Sequence, residues 1–309
     1  AENWNLWGYH RETNPLLKTE DNLVLYKDAL TQSNTTHKSV PLILSAADAC
    51  HYEFLYTHKS IVTAFKEAGF KTIFLSNQTP NRSFTDYFAE EADIHVNVRP
   101  QADGGLITVN KFDGEMLPLL QQYVDSLQEN LFVVFHSYGS PFNYKERYPE
   151  EFARFQPANA TEVEYKNKDQ LINAYDNSIL YTDYFLHSLI GILKNSGADA
   201  TMIYSPDHGE DLLDDNRKRF LHASPIPTYY QIHIPFLMWF SDNYIKARPE
   251  KFEVARYNSN APISSNASIF HTLLEMAEIN TPYFDASYSL VNPEFVRRPR
   301  MYLGDHDQP

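Results

Sequence analysis

Short segments rich in β-branched and aromatic residues recur along this chain, and amphipathic stretches separate them. The apolar segments are Asn22 to Tyr26, Lys71 to Ser76, Ile94 to Val98, Leu106 to Asn110, Leu131 to His136, Thr201 to Ser205 and Pro235 to Phe240. Between them, Ile61 to Ala68, Met116 to Leu127, Asp169 to Lys194 and Ser264 to Glu278 carry apolar residues at helical spacing. In the third stretch Leu171, Ala174, Tyr175, Leu186 and Leu189 share one face. Alternating strands and helices of this kind predict an α/β fold in which a mainly parallel sheet is covered by helices on both sides, a three-layer α/β/α sandwich. At 309 residues, with 43% hydrophobic residues, one large domain over 1–309 accommodates all of it. No linker divides the chain. The polar, Pro-containing residues 143–167 read as an excursion or lid, 214–219 as a charged loop, and 258–265 as an exposed connection.

Charge and cysteine content narrow the functional classes. A net charge of −14 argues against a nucleic-acid binder, whose affinity comes from Lys and Arg displacing counterions. The single cysteine, Cys50, excludes an intramolecular disulfide and a finger-type zinc site. The longest apolar runs, Leu131 to Phe135 and Ile234 to Phe240, are far shorter than the ~20 residues of a membrane helix. The opening AENWNLWGYH has neither the basic start nor the apolar core of a signal peptide, and the chain reads as a fragment of a longer one.

In open α/β sheets, ligands sit beyond the carboxyl ends of the strands, and three of those ends are polar here. Leu131 to Phe135 ends on His136. Thr201 to Ser205 runs into Asp207, His208, Gly209 and Glu210, and Lys71 to Leu75 runs into Asn77, Thr79 and Arg82. A carboxylate and an imidazole side by side suit a divalent ion, and equally suit a helix cap followed by a surface histidine. His222 closes the charged loop near the same rim, and on its own is an ordinary solvated imidazole. Thr35 or Thr36 stands where a helix begins near His37. A hydroxyl there caps the helix, or becomes a nucleophile if a metal lowers its pKa. Asn77, Thr79 and Arg82 offer an amide, a hydroxyl and a guanidinium, a set suited to phosphate oxygens as well as to a plain turn.

Taken in order, LWGYHRETNPLL, SNTTHKSVP, FHSYGSPFNYKERYPEEF, LINAYDNSILYTDYF and SPDHGE with its downstream LH and HIPFLMWFS resemble a known family. It is the catalytic domain of the bacterial phosphoethanolamine transferases that modify lipid A and lipopolysaccharide, including the mobile colistin-resistance enzymes, in the sulfatase and alkaline-phosphatase superfamily. The resemblance implies that Thr36, five positions before Pro41, is the nucleophile, and that it shares a zinc ion with Asp207 and His208. It places His136 and His222 around the substrate phosphate or an additional zinc, and Asn77, Thr79 and Arg82 at the phosphate. Zinc is the implied cofactor, with manganese or another divalent ion as the alternative. The implied donor is phosphatidylethanolamine and the implied acceptor lipid A or another glycan. Membrane helices preceding the domain would anchor the native protein in the inner membrane, with this part facing the periplasm.

Two positions depart from the family. Its remaining zinc ligand, a Glu about eleven residues before the Gly matching Gly8, falls upstream of Ala1, and Glu2 is too close to Gly8 to replace it. Pro141 stands where a histidine follows the Gly-Ser step, and proline neither binds metal nor transfers a proton. Glu210 is assigned to support the ligands or to begin a helix. The same fold hosts sulfatases and phosphoglycerol transferases or phosphodiesterases, and a degenerate, non-catalytic relative is a further alternative. The sulfatase segment needs an Arg two residues beyond its Pro, where this chain has Leu42 and Ile43.

Overall fold

The computed structural model describes residues 1–99 and 111–303. In chain order the first half comprises β1 (Leu23–Tyr26), β2 (Ala29–Leu30), α1 (Thr36–Ile43), α2 (Phe54–Thr57), α3 (Ile61–Glu67), β3 (Lys71–Ser76), α4 (Phe84–Glu91) and β4 (Ile94–Asn97). α5 (Leu117–Ser126), β5 (Leu131–His136), α6 (Lys168–Ser196), β6 (Thr201–Tyr204), β7 (Asp211–Leu212) and β8 (Phe220–Leu221) follow. The last third holds α7 (Tyr229–Ile232), β9 (Phe236–Phe240), α8 (Asp242–Ala247), α9 (Pro249–Asn258), β10 (Ile263–Ser264) and α10 (Ser265–Met276).

The predicted strands and helices appear within a few residues of their expected bounds. The strand predicted over Leu106 to Asn110 lies outside the described residues. Two three-stranded ribbons carry the architecture. β4-β3-β5 is parallel throughout, whereas β9 runs antiparallel to both its neighbours in β1-β9-β6. The antiparallel pairings are a feature that apolar periodicity does not reveal, because a strand buried on both faces reads the same in either direction.

Side chains alternate between two apolar layers, as a strand period of two demands. On β3, Ile73 and Leu75 join the layer formed with α5 and α6, while Phe74 joins the layer containing α3. On β9, Leu237 and Trp239 face the α5/α6 layer, and Phe236, Met238 and Phe240 enter a core with Ile269 of α10. The α5/α6 layer takes residues from both ribbons and so unites them. This is the three-layer arrangement the alternation predicts.

Two connections differ from expectation. Residues 143–167 are no free lid. Tyr144, Tyr148 and Ala158 are buried, and Asn177 of α6 grips the main chain of Phe155 by accepting from its N–H at 2.8 Å and donating to its carbonyl at 2.9 Å. Residues 258–265 are an internal seam, since Ala261, Ile263 and Ser265 are buried and β10 pairs in parallel with β2. The apolar Ala261 and Ile263 supply the burial that the polar neighbours disguise.

Candidate active site

The site begins with how Asp207 is pinned. No helix follows it: after His208 and Gly209 the chain enters β7, so Asp207 is not a helix cap and Glu210 is not a helix start. The main-chain oxygen of Asp207 instead accepts from Ser39 Oγ at 2.6 Å and lies 2.7 Å from Thr31 Oγ1. Asn266 of α10 completes this clamp, donating from Nδ2 to Ser39 Oγ at 2.9 Å and accepting from the Gln32 N–H at 2.7 Å. Thr31, Ser39 and Asn266 are all buried. The clamp presses the end of β6 against the first turn of α1, where Thr36 is the first helical residue.

Thr36 Oγ1 lies 3.3 Å from His208 Nε2. Its hydroxyl also bonds the Asp207 carboxylate. Thr35 occupies the N-cap position without making a capping bond, and its hydroxyl pairs with Ser33 Oγ at 3.2 Å. Of the two threonines, Thr36 is the one that lines the cavity.

His208 Nδ1 lies 2.9 Å from the carbonyl of Gly209. A carbonyl only accepts, so Nδ1 carries the proton and Nε2 presents its lone pair toward Thr36. Gly209 is required here by close approach: a Cβ would come within 2.3 Å of the Tyr230 carbonyl oxygen. Burial pushes the Asp207 carboxyl up, but His208, the Thr36 hydroxyl and His136 outweigh it and hold the group below the ordinary carboxylate range.

A second cluster adjoins the first. The rings of His208 and His222 are 4.0 Å apart between centroids. His222 Nδ1 lies 2.9 Å from Glu210 Oε1, and that hydrogen bond, against the effect of burial, raises the imidazole's pKa. The Tyr144 hydroxyl donates to the other Glu210 oxygen. His222 sits between Leu221 and Ala223, at φ of 66° and 62°, a left-handed conformation uncommon for side chains with a Cβ. Such backbone strain is held in place by surrounding contacts and concentrates at functional sites.

His136 ends β5. Its Nδ1 is 3.0 Å from Ser76 Oγ, its Nε2 is buried with no hydrogen-bond partner among the described residues, and burial lowers its pKa. Thr36, His136, Asp207, His208, Glu210 and His222 all line one cavity of about 450 Å³.

The loop after β3 distributes its polar residues differently from expectation. Asn77, Thr79 and Arg82 do not line this cavity; Gln78 does. Asn77 is fully buried and donates to Asp113 Oδ1 at 2.9 Å. Thr79 is exposed, and Arg82 faces a separate pocket on the far side of α1. Sequence reasoning also passed over Asp113, whose carboxylate accepts the N–H groups of Tyr138 and Gly139 at 2.7 and 3.0 Å and so shapes the wall that Pro141 continues. Glu2 lines the cavity but is tied to His233 Nδ1 at 2.6 Å.

The donors fit a zinc ion chemically: Thr36, Asp207 and the His208 lone pair on one side, and His208, Glu210 and His222 on the other, with ligand atoms of the second set all within 4.8 Å of one another. His208 belongs to both sets. Among the described residues no helix is long and apolar enough to cross a membrane.

The chain is similar in sequence and in fold to known proteins. Residues 1–279 match the sulfatase family model. Phosphoethanolamine transferase EptA of Escherichia coli is 29% identical over 295 residues, which covers 93% of this chain and 53% of the relative. Phosphoethanolamine transferase EptC of E. coli is 28% identical over 308 residues, covering 96% of this chain and 52% of the relative. The chain thus spans about half the length of the curated relatives it matches. Among solved structures, the C-terminal periplasmic domain of E. coli EptC in complex with Zn superimposes with a TM-score of 0.87 at 26% identity, over 97% of this chain and 85% of that one.

Proposed function

The chain belongs to the sulfatase family, and from that premise we propose that it is the catalytic domain of a phosphoethanolamine transferase that moves phosphoethanolamine from phosphatidylethanolamine to a lipid A or lipopolysaccharide acceptor. The observation that carries the reading is the Thr36 hydroxyl, 3.3 Å from the unprotonated nitrogen of His208 and bonded to Asp207, at the mouth of a cavity ringed by two further histidines. The relatives' names supply the group transferred.

In the first half-reaction Thr36 Oγ1 loses its proton to the solvent of the cavity and attacks phosphorus, the P–O bond to diacylglycerol breaks, and phosphoethanolamine stays on Thr36. His222, oriented by Glu210 through Nδ1, donates the proton that the departing diacylglycerol oxygen takes. When the Ser76 hydroxyl donates to His136 Nδ1, Nε2 carries a hydrogen and is a donor for a phosphoryl oxygen. In the second half-reaction an acceptor phosphate or hydroxyl oxygen attacks phosphorus, His222 removes a proton when the acceptor carries one, the bond to Thr36 breaks, and Thr36 Oγ1 regains its proton from the solvent of the cavity. Thr36, Asp207 and His208 would hold a zinc ion, with His222 and Glu210 available to a second. That ion, when bound, would lower the hydroxyl pKa and neutralise phosphoryl charge. The solved EptC domain is described as periplasmic and the EptA relative of known structure as an integral membrane protein, which supports an inner-membrane anchor with this domain in the periplasm.

Ser39, the hydroxyl nearest the position a sulfatase would convert, is fully buried and committed to Asp207. That placement argues against sulfatase chemistry. Mass spectrometry of the full-length protein after incubation with phosphatidylethanolamine tests the reading. A phosphoethanolamine adduct on Thr36 supports it, a glycerol phosphate adduct reassigns the donor, and no adduct on Thr36 overturns the mechanism.

A further inference from the structure

His222 directly follows the two-residue strand β8 and stands between Leu221 and Ala223, whose left-handed backbone costs free energy that neighbouring bonds must offset. Those bonds converge on two buried amides. Asn34, two residues before Thr36, is 1% exposed. Its Nδ2 donates to the Ser224 carbonyl at 3.0 Å and to Gln231 Oε1 at 2.6 Å, and its main-chain carbonyl accepts from the Ala223 N–H at 3.2 Å. Its Oδ1 accepts from the Tyr302 hydroxyl at 2.6 Å. Gln231 of α7, equally buried, places Nε2 3.2 Å from the Leu221 carbonyl and 2.6 Å from Asp211 Oδ2. Its main-chain carbonyl accepts from the Gly209 N–H at 2.8 Å. Carbonyl and carboxylate oxygens only accept here, so both amides have one orientation: each turns its nitrogen to the main chain beside His222, and Gln231 Oε1 faces Asn34. The pair thus grips the chain before and after His222. Neither side chain lines the cavity itself.

We propose that Asn34 and Gln231 are positioning residues of the transfer reaction, a bracket that sets His222 against Thr36; the proposal rests on the function given above, in which His222 gives and takes a proton. Glu210, 2.9 Å from Nδ1, and the His208 ring, 4.0 Å away between centroids, orient the His222 ring. Neither fixes how far the loop carrying His222 stands from α1. Asn34 does, because only Thr35 separates it from Thr36 and its bonds run straight to the two residues after His222. Thr35 is itself held, its carbonyl accepting the Ser39 N–H at 2.9 Å in the first turn of α1. Gln231 adds the segment of His208 through Gly209, so both imidazoles are referred to one point. The end of the chain braces the same loop from the other side: beside the Tyr302 bond to Asn34, the Leu303 N–H donates to the Gln32 carbonyl at 2.7 Å. A misplacement of about 1 Å in a reacting group can cost about 100-fold in rate, so such a bracket acts on turnover without touching the substrate.

Two measurements test the proposal. The first is a double-mutant cycle on diacylglycerol release from phosphatidylethanolamine by the full-length protein. Asn34→Ala is expected to lower kcat about tenfold with KM within about twofold, and His222→Ala to lower kcat about 100-fold. The double variant is expected to be no slower than His222→Ala, because a residue that acts through His222 has nothing left to position. Losses that multiply to about 1,000-fold overturn the proposal, as does full activity in Asn34→Ala. If Asn34→Ala does not fold, Asn34→Asp, which keeps the volume and the acceptor for Tyr302 and loses the amide donors, takes its place with the same expected outcomes. The second measurement follows the imidazole nitrogens by NMR at equal zinc content. Asn34→Ala should shift the His222 signals and leave those of His271 on α10 in place. Unmoved His222 signals, or equal shifts at both histidines, overturn the bracket. Should the unaltered protein release no diacylglycerol, or His222→Ala cost nothing, the reading of the function fails by itself, while the NMR comparison still judges the bracket.

Discussion

Two sets of polar groups in this molecule, one fully buried and one partly buried around the cavity, differ in how completely they are partnered. On α6, Asp176 accepts from Asn3, Tyr9 and Arg11 at 2.7, 2.9 and 2.9 Å, and Asp183 accepts the N–H groups of Leu16 and Leu17, each at 2.9 Å. Both carboxylates are fully buried. Every bond they make joins the helix to the first twenty residues, so they act as internal fasteners. Around the cavity, by contrast, His208 Nε2 has the Thr36 hydroxyl at 3.3 Å and the Asp207 carboxylate at 3.5 Å, both lining the cavity themselves, and His136 Nε2 has no partner among the described residues. Buried polar groups that are saturated by protein hold a fold together, whereas those left open toward a cavity keep capacity for a ligand.

The largest effect that tests this contrast is on catalysis. Thr36→Ala in the full-length protein should lower diacylglycerol release from phosphatidylethanolamine by roughly 10³-fold or more while leaving the thermal transition in place. Activity above a tenth of the starting value would remove Thr36 from the nucleophile's role. Asp176→Ala should do the reverse. It strands Arg11, Tyr9 and Asn3 and should cost about 4 kcal/mol in urea unfolding, with turnover per folded molecule unchanged. A stable variant with impaired turnover would erase the distinction between the two regions.

A smaller effect is written into pH. Burial raises Asp183 from 3.8 to about 6, against the two main-chain N–H groups that favour its charge. The folded state therefore keeps a proton that the unfolded chain has lost between those values. The resulting stabilisation is complete below about pH 3.8 and is lost as pH rises through about 6, an amount up to about 3 kcal/mol. Asp183→Asn does not titrate. The stability difference between the unaltered protein and this variant should therefore shift toward the variant between pH 4 and 7, and a pH-independent difference would contradict the assignment.

The smallest effect lies on the border between the two sets. Ser39→Ala removes the 2.6 Å bond to the Asp207 carbonyl and should cost about 1 kcal/mol of stability but about tenfold in kcat through misplacement of Asp207. Loss of stability and activity in equal measure would make the clamp purely structural.

Much of the site was legible in the chain. Asp207, His208, Thr36, His136 and His222 were each marked as candidates, and the structure brings all five to one cavity. The clamp of Thr31, Ser39 and Asn266 was not legible, because single hydroxyl and amide residues carry no spacing signal and Asn266 lies 227 residues from Ser39. Nor was the dispersal of Asn77, Thr79 and Arg82. They share a loop, but its backbone sends Asn77 to the interior, Thr79 to the surface and Arg82 to a second pocket. For Glu210 the sequence leaves open support of the ligands or the start of a helix, and the hairpin β7–β8 decides between them by facing it back to His222.

By itself the sequence determined the two-faced character of the sheet. Strands such as β3 and β9 contain apolar residues at consecutive positions, and a period of two sends those to both layers whatever the strand's neighbours are. Only the tertiary structure decided which strand ends meet. Apolar periodicity is a local property of a few residues, whereas the approach of Thr36 to His208, 172 residues apart, depends on strand order, on the close passage of Gly209 by Tyr230 and on a buried amide that locks two helices to one carbonyl.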